Sequence, residues 1–195
     1  MKIYTYLDTQ NLVNQYLVAT EDRNAILIDA STLNEDMLLD IEKNRLNVSS
    51  ILITHHHSAH TKALEKILKI YDAAVYSYFP SIDGRWTIRV KDSDVLHIGK
   101  SDIKCIHLPG HSIDSMAYLF DGYALFTGDS LECGMLAVTN TITEKEILVR
   151  SIREKVFPLD DNTLIFPGHG ALSKVRIEKM FNQDILEVSA KIFSN

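Results

Sequence analysis

Apolar and polar positions change their period several times along this chain, and each change marks an expected element. Between residues 2 and 29, short runs rich in Tyr, Val and Ile (2–7, 15–20 and 25–29) alternate with polar breaks, which predicts three strands. Met37, Leu38 and Ile41 share one face of a helix predicted over 34–45. Residues 50–54 read as a short buried strand. Leu64, Ile67, Leu68 and Tyr71 form the apolar stripe of a helix over 61–71, followed by a strand at 74–78. The middle is mostly extended (86–90, 95–98, 103–108, 116–120 and 124–127), with turn signals at Asp83-Gly84 and Asp121-Gly122. A helix over 144–157 turns Ile147, Leu148, Ile152 and Val156 inward. A last strand (163–166) and a last helix (174–188) follow. Strands then a helix, and again strands then helices, predict two sheets between helical layers.

Composition narrows the class. A chain of 195 residues, 46% apolar and 24% charged, has enough apolar residues for one good-sized core. With no repeat and no Pro/Gly-rich linker, a single domain over 1–195 is expected. The formal net charge of -6 argues against a general nucleic-acid binder. No apolar run reaches transmembrane length, so no membrane partner is expected. Met1-Lys2-Ile3-Tyr4-Thr5-Tyr6 lacks the apolar core of a signal peptide, which makes a cytoplasmic location the expectation. Two cysteines, Cys105 and Cys133, imply no disulfide framework.

The candidate chemistry lies where predicted strands end. Thr54-His55-His56-His57-Ser58-Ala59-His60-Thr61 follows the strand at 50–54. Clustered imidazoles are the usual ligands of zinc and related metals. In an extended segment His55 and His57 point one way and His56 the other. One metal could take the first pair, while His60, where the chain turns into the next helix, could face a neighbouring site. Three more strand ends repeat the design: Pro109-Gly110-His111, Thr127-Gly128-Asp129 and Pro167-Gly168-His169. Glycine allows a sharp turn that presents the next side chain. A single Pro-Gly-His is more often a surface turn. The four signals together, in this order, are hard to produce by chance.

With these motifs the chain resembles the metallo-β-lactamase superfamily, and within it the glyoxalase II-like hydrolases, from about residue 16 to 170. The resemblance implies a four-layer αββα sandwich of the α/β class. It implies a first metal held by His55, His57 and His111, with Asp129 bridging to a second held also by His60 and His169. Asp129 and His60 are the expected catalytic residues. Zinc is the expected ion, with iron or manganese as alternatives. The implied reaction is hydrolysis of a thioester, lactone or related ester, in which metal-activated water attacks the carbonyl carbon. The chain departs from the family pattern His-x-His-x-Asp-His, because Ala59 stands where the Asp belongs. A methyl group cannot ligate, so one firmly bound metal and a weak second site are expected. The short stretch after His169 and the missing Gly-Arg segment after Gly128-Asp129 put glutathione thioesters in doubt.

The partners expected are a small-molecule substrate and, as an open alternative, further copies of the chain in a homo-oligomer. A second functional class stays open: a metal-binding module of this fold that has lost catalysis. A nuclease is disfavoured by the acidic balance, and an iron-dependent oxidoreductase is a further alternative. His56, His97, His107 and Cys105 read as structural. Cys133 reads as a small buried residue or a soft ligand. Ser58 or Thr61 is expected to cap the following helix. Tyr78, Phe79 and Trp86 read as a groove border or a local core.

Overall fold

The computed structural model describes residues 1–192; residues 193–195 of the expected domain lie outside the described residues. The chain opens with β1 (Lys2–Asp8), β2 (Val13–Ala19) and β3 (Asn24–Ile28), followed by α1 (Glu35–Lys43) and β4 (Asn47–Leu52). Two short helices, α2 (Ser58–Thr61) and α3 (Leu64–Leu68), lead to β5 (Ala74–Ser77). A small hairpin of β6 (Ser81–Ile82) and β7 (Arg85–Trp86) precedes β8 (Ile88–Arg89). The second half runs β9 (Val95–Ile98), β10 (Ser101–His107), β11 (Met116–Phe120), β12 (Ala124–Gly128) and α4 (Ile142–Lys155). It ends with β13 (Leu164–Pro167), β14 (Ser173–Lys174), α5 (Val175–Phe181) and α6 (Gln183–Ile192).

Two six-stranded sheets result, in the orders β1-β2-β3-β4-β5-β8 and β14-β13-β12-β11-β10-β9. Their inner faces meet in an aromatic-rich core that includes Tyr16, Ile26, Leu52, Tyr118, Phe120 and Phe126. The outer face of the first sheet packs through Leu27 and Ile51 on Met37 and Ile41 of α1 and Leu64 and Ile67 of α3. The second sheet packs through Ala117 and Ile165 on Leu148 and Ile152 of α4, Val175 of α5 and Ile185 of α6. This is the expected four-layer αββα order. β2, β11 and β12 are buried along their whole length, as strands covered on both faces must be.

Local signals start α1 and α4. Asn34 accepts from the Asp36 and Met37 amides at the head of α1. At α4, the Glu144 amide donates to Thr141 Oγ1 at 3.1 Å, and Thr141 Oγ1 reaches Glu144 Oε2 at 3.1 Å. Three expectations are corrected. The single helix over 61–71 is two pieces, and helical structure begins at Ser58. The Ala30 amide donates to His60 O (2.7 Å) and the Ala63 amide to Ala30 O (2.8 Å), so the loop after β3 takes the bonds a continuous helix would use. The helix over 174–188 breaks at Asn182, which leaves the helical region (φ -69°, ψ 105°). The Ile185 amide donates to Asn182 Oδ1 at 3.2 Å, so Asn182 serves the start of α6. The strand over 86–90 is divided between β7 and β8. Asp83 and Gly84 both take positive φ (48° and 80°), the backbone of a tight hairpin turn. Among the described residues, no helix is long and apolar enough to cross a membrane.

Candidate metal centre

The site lies where the two sheets meet at the ends of their strands. Its first segment leaves β4 and is fastened to the other sheet: the Met116 amide donates to Thr54 O (2.7 Å) and Tyr118 OH to Ile53 O (2.7 Å). Its last segment, the turn after β13, is gripped by β2. Tyr16 OH donates to Pro167 O at 2.6 Å, Asn14 Nδ2 to Gly170 O at 2.9 Å, and the Asn14 amide to Gly168 O at 2.7 Å. Two glycines make the close approach feasible. A Cβ on Gly128, whose φ is 51°, would stand 2.5 Å from Thr54 Oγ1. A Cβ on Gly168 would collide with Asp129 Oδ1 and with the His60 ring.

All six sequence-predicted residues converge. His57 Nδ1 stands 2.9 Å from His55 Nε2 and 3.1 Å from His111 Nε2. Asp129 Oδ2 lies 3.7 Å from His55 Nε2, 3.7 Å from His111 Nε2 and 3.5 Å from His169 Nε2. Asp129 Oδ1 turns the other way, 3.3 Å from His60 Nε2. Two overlapping groups could each hold an ion: His55, His57 and His111, and His55, His60 and Asp129.

The far nitrogen of most of these rings is tied down, which sets which nitrogen faces the centre. His60 Nδ1 donates to Asp29 Oδ2 (2.8 Å), His111 Nδ1 to Val138 O (2.8 Å) and His169 Nδ1 to Leu12 O (2.9 Å). Thr54 Oγ1 donates to Asp29 Oδ2 (2.9 Å), so His55 Nδ1, 3.1 Å from that hydroxyl, is its donor. Each of these four rings therefore offers Nε2 to the centre, whereas His57 offers Nδ1. The donor set fits a divalent cation. Buried His60 Nε2 and Asp129 Oδ1, 3.3 Å apart, make no hydrogen bond. Such orphaned atoms are costly in a folded protein unless something else satisfies them.

The electrostatics differ across the site. Burial, and then the neighbouring imidazoles, push His55 down to about 2. Burial and His111 also lower His57. Burial opposes charge on His60 as well, but Asp29 and Asp129 overcome it and raise His60 to about 10. The Asp129 carboxylate, 3.5 Å from its Nε2, raises His169. Burial pushes the Asp129 carboxyl up, yet His169 and His60 hold it well below the usual carboxylate range.

The remaining expectations resolve simply. His56 points away, 3.1 Å from Asp83 Oδ1, while its amide donates to Asp114 Oδ2 at 2.8 Å. His97 pairs with Asp102 on the surface, His107 stacks on Tyr78, and Cys105 is buried. Cys133 is exposed, not buried, because Glu132 and Met135 pair and leave it in the turn between them. Neither Ser58 nor Thr61 caps α2; His57 occupies that position without a side-chain bond. Trp86 is exposed and belongs to no local core. Asp29 and Thr54 were missed by sequence reasoning. The one local signal for Asp29 was a carboxylate at the end of an apolar strand, in a left-handed conformation (φ 62°) that Asp tolerates better than most residues.

The profile of the Metallo-beta-lactamase superfamily matches residues 8–169. A hydroxyacylglutathione hydrolase of Francisella tularensis subsp. tularensis (strain WY96-3418) is 32% identical over 173 residues, covering 87% of this chain and 68% of that protein. The crystal structure of ETHE1 from Myxococcus xanthus superposes with a TM-score of 0.87 at 26% identity, over 100% of this chain and 91% of that one. TTHA1623 in a di-iron-bound form superposes with a TM-score of 0.78 at 22% identity, over 92% and 98%. At that identity the last likeness concerns the fold alone.

Proposed function

Because the chain belongs to the metallo-β-lactamase superfamily, we propose that it is a metal-dependent hydrolase that cleaves an ester, thioester or lactone. The observation that carries the reading is the pair of orphaned buried atoms, His60 Nε2 and Asp129 Oδ1, inside a ring of imidazoles whose far nitrogens are tied down. Relatives such as the Francisella protein, named hydroxyacylglutathione hydrolase, support acyl-bond hydrolysis as the class.

His55, His57 and His111 would hold one ion as neutral donors, with Asp129 Oδ2 beside them. A second ion would depend on His60, His169 and Asp129 Oδ1, and Ala59 leaves it without a further carboxylate. We therefore expect one firmly held ion, with zinc, iron and manganese all compatible with the donor set. Such an ion lowers the pKa of water and polarises a carbonyl. Asp129 Oδ1, a buried acceptor without a partner, would take a hydrogen bond from a group bound at the centre. Asp29 holds His60 in register through Nδ1. The main-chain carbonyls of Leu12 and Val138 do the same for His169 and His111.

The test is a panel of esters, thioesters and lactones given to metal-loaded protein, with metal content measured in parallel. Turnover that disappears in His57→Ala and persists in His97→Ala supports the reading. No turnover of any member by fully loaded protein overturns it. That outcome would favour the second reading, a metal-binding module without catalysis, to which Ala59 points.

A further inference from the structure

We propose that the mouth of this centre selects substrates by an apolar, uncharged acyl group lying across Leu12 and Val138. The inference rests on the hydrolase reading and names its substrate class. The Leu12 carbonyl accepts from His169 Nδ1 and the Val138 carbonyl from His111 Nδ1, so both residues sit against imidazoles of the site. Those imidazoles stand 3.5 and 3.7 Å from the same oxygen of Asp129, so the loops that carry the two residues meet at one carboxylate. Their side chains are nonetheless 62% and 85% exposed.

A single exposed apolar side chain is ordinary on any protein. Here a second feature coincides with it. Leu12 holds φ 56°, a left-handed conformation that a bulky residue rarely adopts and that Gly or Asn would accept more easily. Leucine thus occupies a place that suits it neither by backbone nor by exposure. The same loops also expose Ile113, Met135 and Leu172. Charge points the same way. Residues 8–14, 54–61, 109–115, 128–142 and 167–173 contain no Lys or Arg. They do carry Asp129 and Glu132. An anionic acyl group would meet these carboxylates, and the neighbouring Lys62 is already paired with Asp8 at 2.7 Å, whereas an apolar group would cover exposed hydrocarbon. The reaction itself needs only water: its hydroxyl joins the acyl carbon, the bond to the leaving oxygen or sulfur breaks, and a proton ends on the leaving group.

Two measurements on metal-loaded protein test this. In the first, kcat/KM is measured for 4-nitrophenyl acetate, butanoate, hexanoate and octanoate, with mono-4-nitrophenyl glutarate as the anionic counterpart. We expect a rise of roughly two- to fourfold per added methylene, with the glutarate poorer than the neutral esters of similar length. Leu12→Ser and Val138→Ser should each flatten that rise, and Ile88→Ser, on the far edge strand of the first sheet, should leave it intact. In the second, calorimetry follows the binding of acetohydroxamate, butanohydroxamate and octanohydroxamate, which needs no turnover. The rate series decides if the protein hydrolyses esters, and the affinity series decides if it does not. A flat series, or a preference for the glutarate, overturns the inference even though hydrolysis stands. No hydrolysis of any of these esters or of the thioester and lactone panel, with affinity that rises with chain length, overturns the hydrolase reading and leaves the apolar mouth in place. Absent hydrolysis with flat affinity overturns both.

Discussion

The two halves of the centre use the same residue types and give them opposite charge preferences. On the side of His55, His57 and His111, burial and mutual repulsion hold His55 and His57 neutral. On the other side, the Asp29 and Asp129 carboxylates draw a proton onto His60, and Asp129 draws one onto His169. A metal ligand must be an unprotonated imidazole. The first half is therefore ready for a cation, whereas the second must first give up protons that two carboxylates stabilise. Ala59, between Ser58 and His60, widens the gap, because it removes a ligand from the half that already competes with protons.

The comparison breaks most sharply at His57, whose Nδ1 stands within 3.1 Å of both other nitrogens of its half. His57→Ala should lower metal retention and any turnover by more than about 100-fold, beyond what the loss of a supporting residue costs. His97→Ala should change neither. Equal losses in the two variants, read beside their melting curves, would point to folding and not to the site. Next in size is Ala59→Asp, which should raise bound metal from near one toward two per chain after identical dialysis, by elemental analysis. Two tightly held ions in the wild type would remove the asymmetry altogether.

A smaller effect is expected at Asp29, whose Oδ2 holds His60 Nδ1 at 2.8 Å. In the Ala59→Asp background, Asp29→Asn should weaken the second ion by roughly 10–100-fold and leave the first nearly unchanged. Equal weakening of both ions would mean that Asp29 supports the whole centre. The subtlest test is the pH dependence of the metal-free protein's melting temperature. His55, held at about 2 when folded against 6.5 ordinarily, makes the unfolded chain bind more protons, so stability falls as the pH drops below about 6.5. His60, raised to about 10, gives stability that is present below its ordinary 6.5 and lost as the pH climbs through about 10. The melting temperature should thus peak near neutrality, and His55→Asn should flatten the acid limb. An unchanged acid limb in that variant would assign it to other groups.

The layered architecture and the four segments that carry the candidate ligands are written in the local sequence. Each is a local event: an apolar strand with candidate ligands directly after its end and, in three of the four, a glycine that permits the bend. Period-2 and period-3.6 patterns are likewise local, which is why β2, β11, β12, α1 and α4 were legible. Tertiary structure alone decided what holds those ligands and what interrupts the helices. Asp29 meets His60 across 31 residues, Val138 meets His111 across 27, and Leu12 meets His169 across 157. The breaks between α2 and α3 and at Asn182 arise from hydrogen bonds to Ala30 and from the Asn182 side chain, which binds Met135 O and Glu178. Periodicity records which face of an element is apolar. It carries no record of which distant backbone will take a hydrogen bond, and the charge preference of each imidazole depends on carboxylates that only folding brings within reach.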